Sequence, residues 1–301
     1  MYTLGINAAF HDSAAALIKD GVLIAAAEDE RFTHIKHGKR PIPFSAYELP
    51  FHAIDYCLQE AGITLQDVDH IAYSFDPALQ KQQDSSGDNN KITGVFSNNL
   101  NDLFLSYMQQ APQHLRDGYP HHLQKRLAGL VIKPGKWHFV EHHIAHAASA
   151  FYPSPFKEAA VLTLDGRGEL ASTSYFVGNG NSLEKIGEVC MPHSLGMLYE
   201  KMTTYLGFLH SSDEYKVMAL ASYGKPVYLE KFRSFIHPGE NGCYTIDDFS
   251  PEDAFGPARK KGATFEQRFF DVCCLCTTSI RRRPTKYQPS GMWMAPPAFK
   301  P

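Results

Sequence analysis

The sequence predicts a mixed α/β fold assembled from two similar halves, and three observations point to it. Two stretches open alike, TLGINAAFHDSAAALIKDGVLIAAAEDE from residue 3 and AVLTLDGRGELASTSYFVGNGNSLEKIGEV from residue 160. Each reads as an apolar strand, a small polar loop, a second strand, a tight turn and a third strand. Between the copies, helix-period and strand-period segments alternate as in an α/β sheet. The 301 residues are 44% hydrophobic and 20% charged, an ordinary globular balance that can fill a sizeable core.

Taken in order, the first copy places its turn at Lys19, Asp20 and Gly21. ELPFHAIDYCLQEAG then reads as a helix and DHIAYSF as a strand, followed by a polar, turn-rich loop, QKQQDSSGDNNK. Residues 101 to 130 have helical character, and WHFVEHH carries a short strand towards a histidine pair. The second copy has DGRGE as its loop and GNGN as its turn. SLGMLYEKMTTYLGF and EYKVMALASYG follow as helices, with their Met, Leu and Tyr stripe expected in the core.

Several function classes drop out early. A formal net charge of −3 argues against a generally basic nucleic-acid binder. No apolar run reaches the length of a membrane span, and YTLGINA is unlike a signal peptide, so a cytoplasmic protein without membrane partners is expected. Cys57, Cys190 and Cys243 are scattered and read as reduced thiols, while Cys273, Cys274 and Cys276 cluster as CCLC without a second pair or an evident fourth ligand for a zinc site. There is no GxxxxGK[ST] phosphate loop.

The chemistry-bearing signal is EHHIAHAASAFYPSPFKEAAVLTLDGRGE, residues 141 to 169. His142 and His146, four apart, share one helix face, and Asp165 sits where the apolar run Ala159 to Leu164 breaks into glycine. Two imidazoles and a carboxylate on neighbouring elements can hold a divalent metal, iron, zinc or manganese. Histidines on an exposed helix face are the plainer reading. His143, on another face, is expected to be solvent-exposed or one step behind the ligands.

GINAAFHDSAAALIKDG with EDERFTHIKHGKRPIP, EHHIAHAASAFY with VLTLDGRGE, SLGMLYEKMTTYLGF and EYKVMALASYG together resemble the carbamoyltransferase family that modifies nodulation factors and antibiotics. The resemblance covers roughly residues 2 to 270. It implies a Kae1-like domain with the duplicated α/β core of the actin, sugar-kinase and Hsp70 type, its second half incomplete here. It implies O-carbamoyl transfer: carbamoyl phosphate and ATP give carbamoyl adenylate, whose carbamoyl group passes to an alcohol acceptor. In complete members a YrdC-like domain makes the adenylate; that domain is expected to be absent here, with a separate chain as its carrier.

On the family's pattern, His142, His146 and Asp165 match its metal ligands, and a further aspartate of complete members has no match. His11 in AAFHDS is the candidate proton acceptor and Asp12 its partner or an acceptor contact; both could equally cap a turn. Arg31, Lys36 and Lys39 are candidates for the phosphate or adenylate anion, against the alternative of a solvated charged face. Gly166 and Gly168 could offer backbone donors to phosphate. Glu214 and Lys216 lie in a further matching segment, where Lys216 is a nucleotide contact or a helix-surface charge. An ATP-dependent phosphotransferase or ATPase of the same fold group, or an inactive remnant, are the competing readings.

Residues 1 to 271 are thus expected to form the Kae1-like domain. From 272 to 301, VCCLCTTSIRRRPTKYQPSGMWMAPPAFKP lacks helical or strand periodicity and reads as a disordered or frame-disrupted tail. On that reading the chain alone is expected to be poorly soluble or inactive.

Overall fold

Alternation in YTLGIN puts Leu4 and Ile6 on one side of strand β1 (Tyr2–Asn7), where both are buried. The computed structural model describes residues 1–8, 12–36, 49–80, 105, 108–117, 136–209 and 213–257. His11, Lys39, residues 81–91 of the polar loop, most of 101 to 130 and the tail from 272 lie outside the described residues.

Strands β2 (Ala14–Lys19) and β3 (Val22–Glu28) continue from β1 as an antiparallel meander through a two-residue turn at Asp20 and Gly21. A short helix, α1 (Glu30–Thr33), follows. Helix α2 (Phe51–Glu60) buries Phe51, Ala53, Ile54, Cys57 and Leu58, a stripe at helical spacing, against the Leu4 face of the sheet. Its first turn is capped from the sheet, because the Asp29 carboxylate accepts the backbone N–H groups of His52 and Ala53 at 3.0 and 3.1 Å. β4 (His70–Tyr73) then pairs parallel to β1. Helix α3 (Ala111–Asp117) adds Ala111 and Leu115 to the same core, and β5 (Trp137–Phe139) pairs parallel to β4. The sheet order is β3-β2-β1-β4-β5.

The face turned away from α2 is built differently. Gly5 aligns with Ala16 and Ala72, and Ala16 with Ala26, so one row of four strands carries only small residues. They floor a groove of about 910 Å³ whose wall includes Ala145 and Ala148 of helix α4 (His142–Phe151). That helix leads into a second antiparallel meander, β6 (Glu158–Leu164), β7 (Ala171–Asn179) and β8 (Ser182–Cys190), ordered β6-β7-β8. The two stretches that echo each other in sequence therefore both form three consecutive antiparallel strands within a mixed α/β structure.

Helices α5 (Leu195–Tyr205), α6 (Glu214–Ala221) and α7 (Leu229–Arg233) come next. A small hairpin of β9 (Ile236–Pro238) and β10 (Tyr244–Ile246) precedes α8 (Pro251–Phe255). The expected apolar stripe of α5 and α6 is divided. Tyr205, Leu206 and Leu220 are buried with Phe208, whereas Tyr215, Met218 and Tyr223 are exposed, because packing from α8 reaches only one side of the pair. Among the described residues no helix is long and apolar enough to cross a membrane.

Candidate metal centre

Helix α4 starts immediately after β5 at the C-terminal end of the parallel strands, and this fixes where its first histidine lies. The first N–H groups of a helix have no partner within it. Here the carboxylate of Glu169, 4% exposed, accepts the His142 N–H at 3.0 and 3.1 Å, and also the Asp76 N–H at 2.6 Å. The ring of His142 is held separately. A carbonyl can only accept, so the 3.1 Å contact between Nδ1 and the Ser74 carbonyl fixes Nδ1 as the protonated nitrogen.

Asp165 closes β6 and opens the DGRGE loop. Its Oδ1 accepts the Gly166 N–H at 2.6 Å, which leaves Oδ2 facing the histidines. Helix α5 braces this loop: the Ser194 hydroxyl accepts from the Met197 N–H at 3.0 Å and donates to the Gly166 carbonyl at 2.7 Å. Gly196 meets the loop so closely that a Cβ there would lie 2.6 Å from the Asp165 carbonyl oxygen.

Three donor atoms converge. His142 Nε2 lies 2.6 Å and His146 Nε2 3.2 Å from Asp165 Oδ2, and the two nitrogens are 3.1 Å apart. With bonds of about 2.1 Å, ligands set at right angles around a metal lie about 3.0 Å from one another. Two imidazole nitrogens and a carboxylate facing one point repel unless a proton or a cation lies between them, so the donor set fits a divalent metal. His142 is 13% exposed and His146 51%, which leaves the His146 side open to an incoming ligand.

The electrostatics agree with that geometry. Burial disfavours the charged form of His142, yet the hydrogen bond and charge of Asp165 outweigh it and lift its pKa above the ordinary histidine value. Burial likewise opposes ionisation of Asp165, but hydrogen bonds from His142 and His146 hold its carboxyl well below the usual range. Glu169 is pushed up by burial, against the pull of the N–H groups it accepts.

Of the two expectations for His143 the structure drops solvent exposure, because the ring is fully buried. The Thr163 hydroxyl donates to the Ser174 carbonyl at 3.3 Å and accepts from His143 Nδ1 at 2.7 Å. Burial first, then the charge of His142, lowers the His143 pKa to about 4. Gly168 makes room for this ring: a Cβ there would stand 2.7 Å from its Cδ2. The amides expected to face phosphate are used within the loop, Gly166 donating to Asp165 and Gly168 to the Ala171 carbonyl at 2.7 Å.

The remaining candidates fall in other places. Asp12 has a positive φ of 55°, and its carbonyl accepts from the Asn7 amide at 3.1 Å. Asn7 Oδ1 in turn accepts the Ser74 hydroxyl at 2.7 Å, so the loop bearing Asp12 connects through Asn7 and Ser74 to His142. Arg31 lines the groove and pairs with Glu28 at 3.5 Å. Lys36 lies 4.0 Å over the Tyr215 ring, bringing the first basic segment onto α6. Lys216 pairs with Asp213 at 2.7 Å, and Glu214 begins α6. Glu169, Ser74, Thr163 and Asn7 were not singled out in the sequence; the acidic end of DGRGE is the one signal that pointed to any of them.

A family model described as Carbamoyltransferase N-terminus matches residues 2–249. The chain belongs to the carbamoyltransferase family. The nodulation protein NolNO of Sinorhizobium fredii is 33% identical over 291 residues, covering 92% of this carbamoyltransferase-family chain and 38% of NolNO. The nodulation protein NolO of Bradyrhizobium diazoefficiens is 35% identical over 151 residues, 48% of this chain and 27% of NolO. A Synechocystis protein, "Uncharacterized protein sll1178", is 41% identical over 246 residues, 76% of this chain and 36% of that one. The chain spans between about a quarter and two fifths of the length of these curated relatives.

Proposed function

We propose that this chain supplies the acceptor-carbamoylating site of an O-carbamoyltransferase, with carbamoyl phosphate and ATP as the source of carbamoyl adenylate and a hydroxyl of a small molecule or sugar-containing natural product as acceptor. The observation that carries this reading is the convergence of His142, His146 and Asp165 in a member of the carbamoyltransferase family. The two three-strand meanders support a Kae1-like duplicated core, with the centre where α4 joins them.

In the transfer, the acceptor oxygen forms a bond to the carbamoyl carbon, the bond from that carbon to the phosphate oxygen breaks, and AMP leaves with the electron pair. The hydroxyl proton goes to an imidazole, which we assign to His11. The match of AAFHDS to the family supports this assignment, and the adjacent Asp12 is joined through Asn7 to Ser74, the residue whose carbonyl holds the His142 ring. His142, His146 and Asp165 would hold the metal; two imidazoles with one carboxylate suit iron, zinc or manganese, and the family resemblance puts iron first. When bound, such a dication neutralises charge on the phosphate of the adenylate. Arg31, Lys36 and Lys39 are assigned to the anion of the incoming nucleotide, with Lys216 and Glu214 beside Lys36 on α6.

The test is to incubate the chain with carbamoyl phosphate, ATP, a panel of alcohols and the remaining part of the NolNO chain added separately. Carbamoylated alcohol that forms with the wild type and is lost with His11→Asn supports the proposal. A phosphorylated alcohol, or ATP hydrolysis without carbamoyl transfer, would point instead to a phosphotransferase or ATPase.

A further inference from the structure

We infer that Glu169 is a positioning residue for the metal centre, clamping the start of α4 to the segment after β4 so that His142 Nε2 is aimed at Asp165. This rests on the metal reading above. The Glu169 carboxylate joins two segments, through the Asp76 N–H at 2.6 Å and the His142 N–H at 3.0 Å. Those same segments meet a second time where His142 Nδ1 donates to the Ser74 carbonyl. The backbone of His142 is thus held by Glu169 and its ring by Ser74. Loss of the first contact lets the helix start move relative to β4, and the second loses its alignment.

Charge gives an independent argument. Glu169 and Asp165 are two carboxylates at one end of the sheet, and among the described residues neither has a lysine or arginine within ion-pair distance. A buried carboxylate without a counter-charge is costly. A dication bound by the triad matches the pair. Glutamine at position 169 would keep the volume but remove one charge and put an N–H₂ where Oε2 accepts the His142 N–H at 3.1 Å.

The test is titration of the full 301-residue chain with Co²⁺, read by affinity and by the visible absorption of the bound ion. Glu169→Gln should weaken binding about 10- to 100-fold and shift the absorption, the size expected when a group orienting a ligand is lost. Glu169→Asp, which keeps the charge but not the reach, should shift the absorption and weaken binding less. Asp67→Asn, which breaks a capping box elsewhere, should change neither reading. Wild-type affinity and absorption in Glu169→Gln, alongside lost binding in His146→Ala, would overturn the inference and leave the metal reading intact. Absence of His146-dependent Co²⁺ binding in the wild type would overturn both. Should glutamine prevent folding, the aspartate variant decides by the same two readings.

Discussion

The Nδ1–H of His142 donates to the carbonyl oxygen of Ser74 across 3.1 Å, so this ring meets Asp165 only through Nε2. A ring fixed in that tautomer presents a lone pair to the centre when neutral and an N–H when charged. Asp165 raises the His142 pKa against the opposing effect of burial, so the metal-free centre retains a proton to higher pH than an ordinary histidine. A metal needs the neutral ring and competes with that proton. Metal binding near neutral pH should therefore release protons, and affinity should rise as pH increases through and above the ordinary histidine pKa of about 6.5. Calorimetric titration with Zn²⁺ in buffers of different ionisation enthalpy checks this. The same apparent enthalpy in every buffer would show that no proton is displaced.

His143 makes the opposite prediction for stability. Its pKa falls from 6.5 unfolded to about 4 folded, so between these values the unfolded chain holds more protons. The native state should lose stability as the pH of metal-free protein drops through that window, by a total on the order of 3 kcal/mol once pH is below 4. His142, with its raised pKa, makes its contribution below 6.5 and does not offset this loss. Urea midpoints at several pH values for wild type and His143→Gln measure it. Equal slopes for the two proteins would contradict the assignment.

Gly196 tests how tightly the loop must be braced. A Cβ at this position would lie 2.6 Å from both the Asp165 carbonyl and the Gly166 nitrogen, which are backbone atoms with little room to yield. Gly196→Ala should cost about 1–3 kcal/mol and weaken metal binding by displacing Asp165. Ser194→Ala removes a helix cap and should cost about 1 kcal/mol. Thermal melts and Zn²⁺ affinity of the two variants provide the check.

Much of this was legible in the sequence, for physical reasons that differ by element. The period-two alternation of YTLGIN and the three-four spacing of Phe51, Ile54 and Leu58 are local signals, and both mark the buried faces they predict. The spacing of His142 and His146 and the break at Asp165 are likewise local, so the three candidate ligands could be named before their geometry was known. The support around them was not local. Glu169 reaches Asp76 across 93 positions and His142 across 27, and no periodicity encodes such a contact. The sequence left His143 open between exposure and a place behind the ligands, because helical spacing says which residues share a face but not that β6 packs Thr163 against the other one. Gly168 resembled a phosphate donor, whereas its absent side chain is what admits the His143 ring.

The most direct test of the metal centre is the metal content of the folded chain after loading with Fe²⁺ or Zn²⁺ and removal of free ion, compared between wild type, His146→Ala and Asp165→Asn. The geometry predicts stoichiometric metal in the wild type and strong loss in both variants, whose far-UV spectra remain those of the wild type. Equal metal in all three proteins would contradict it.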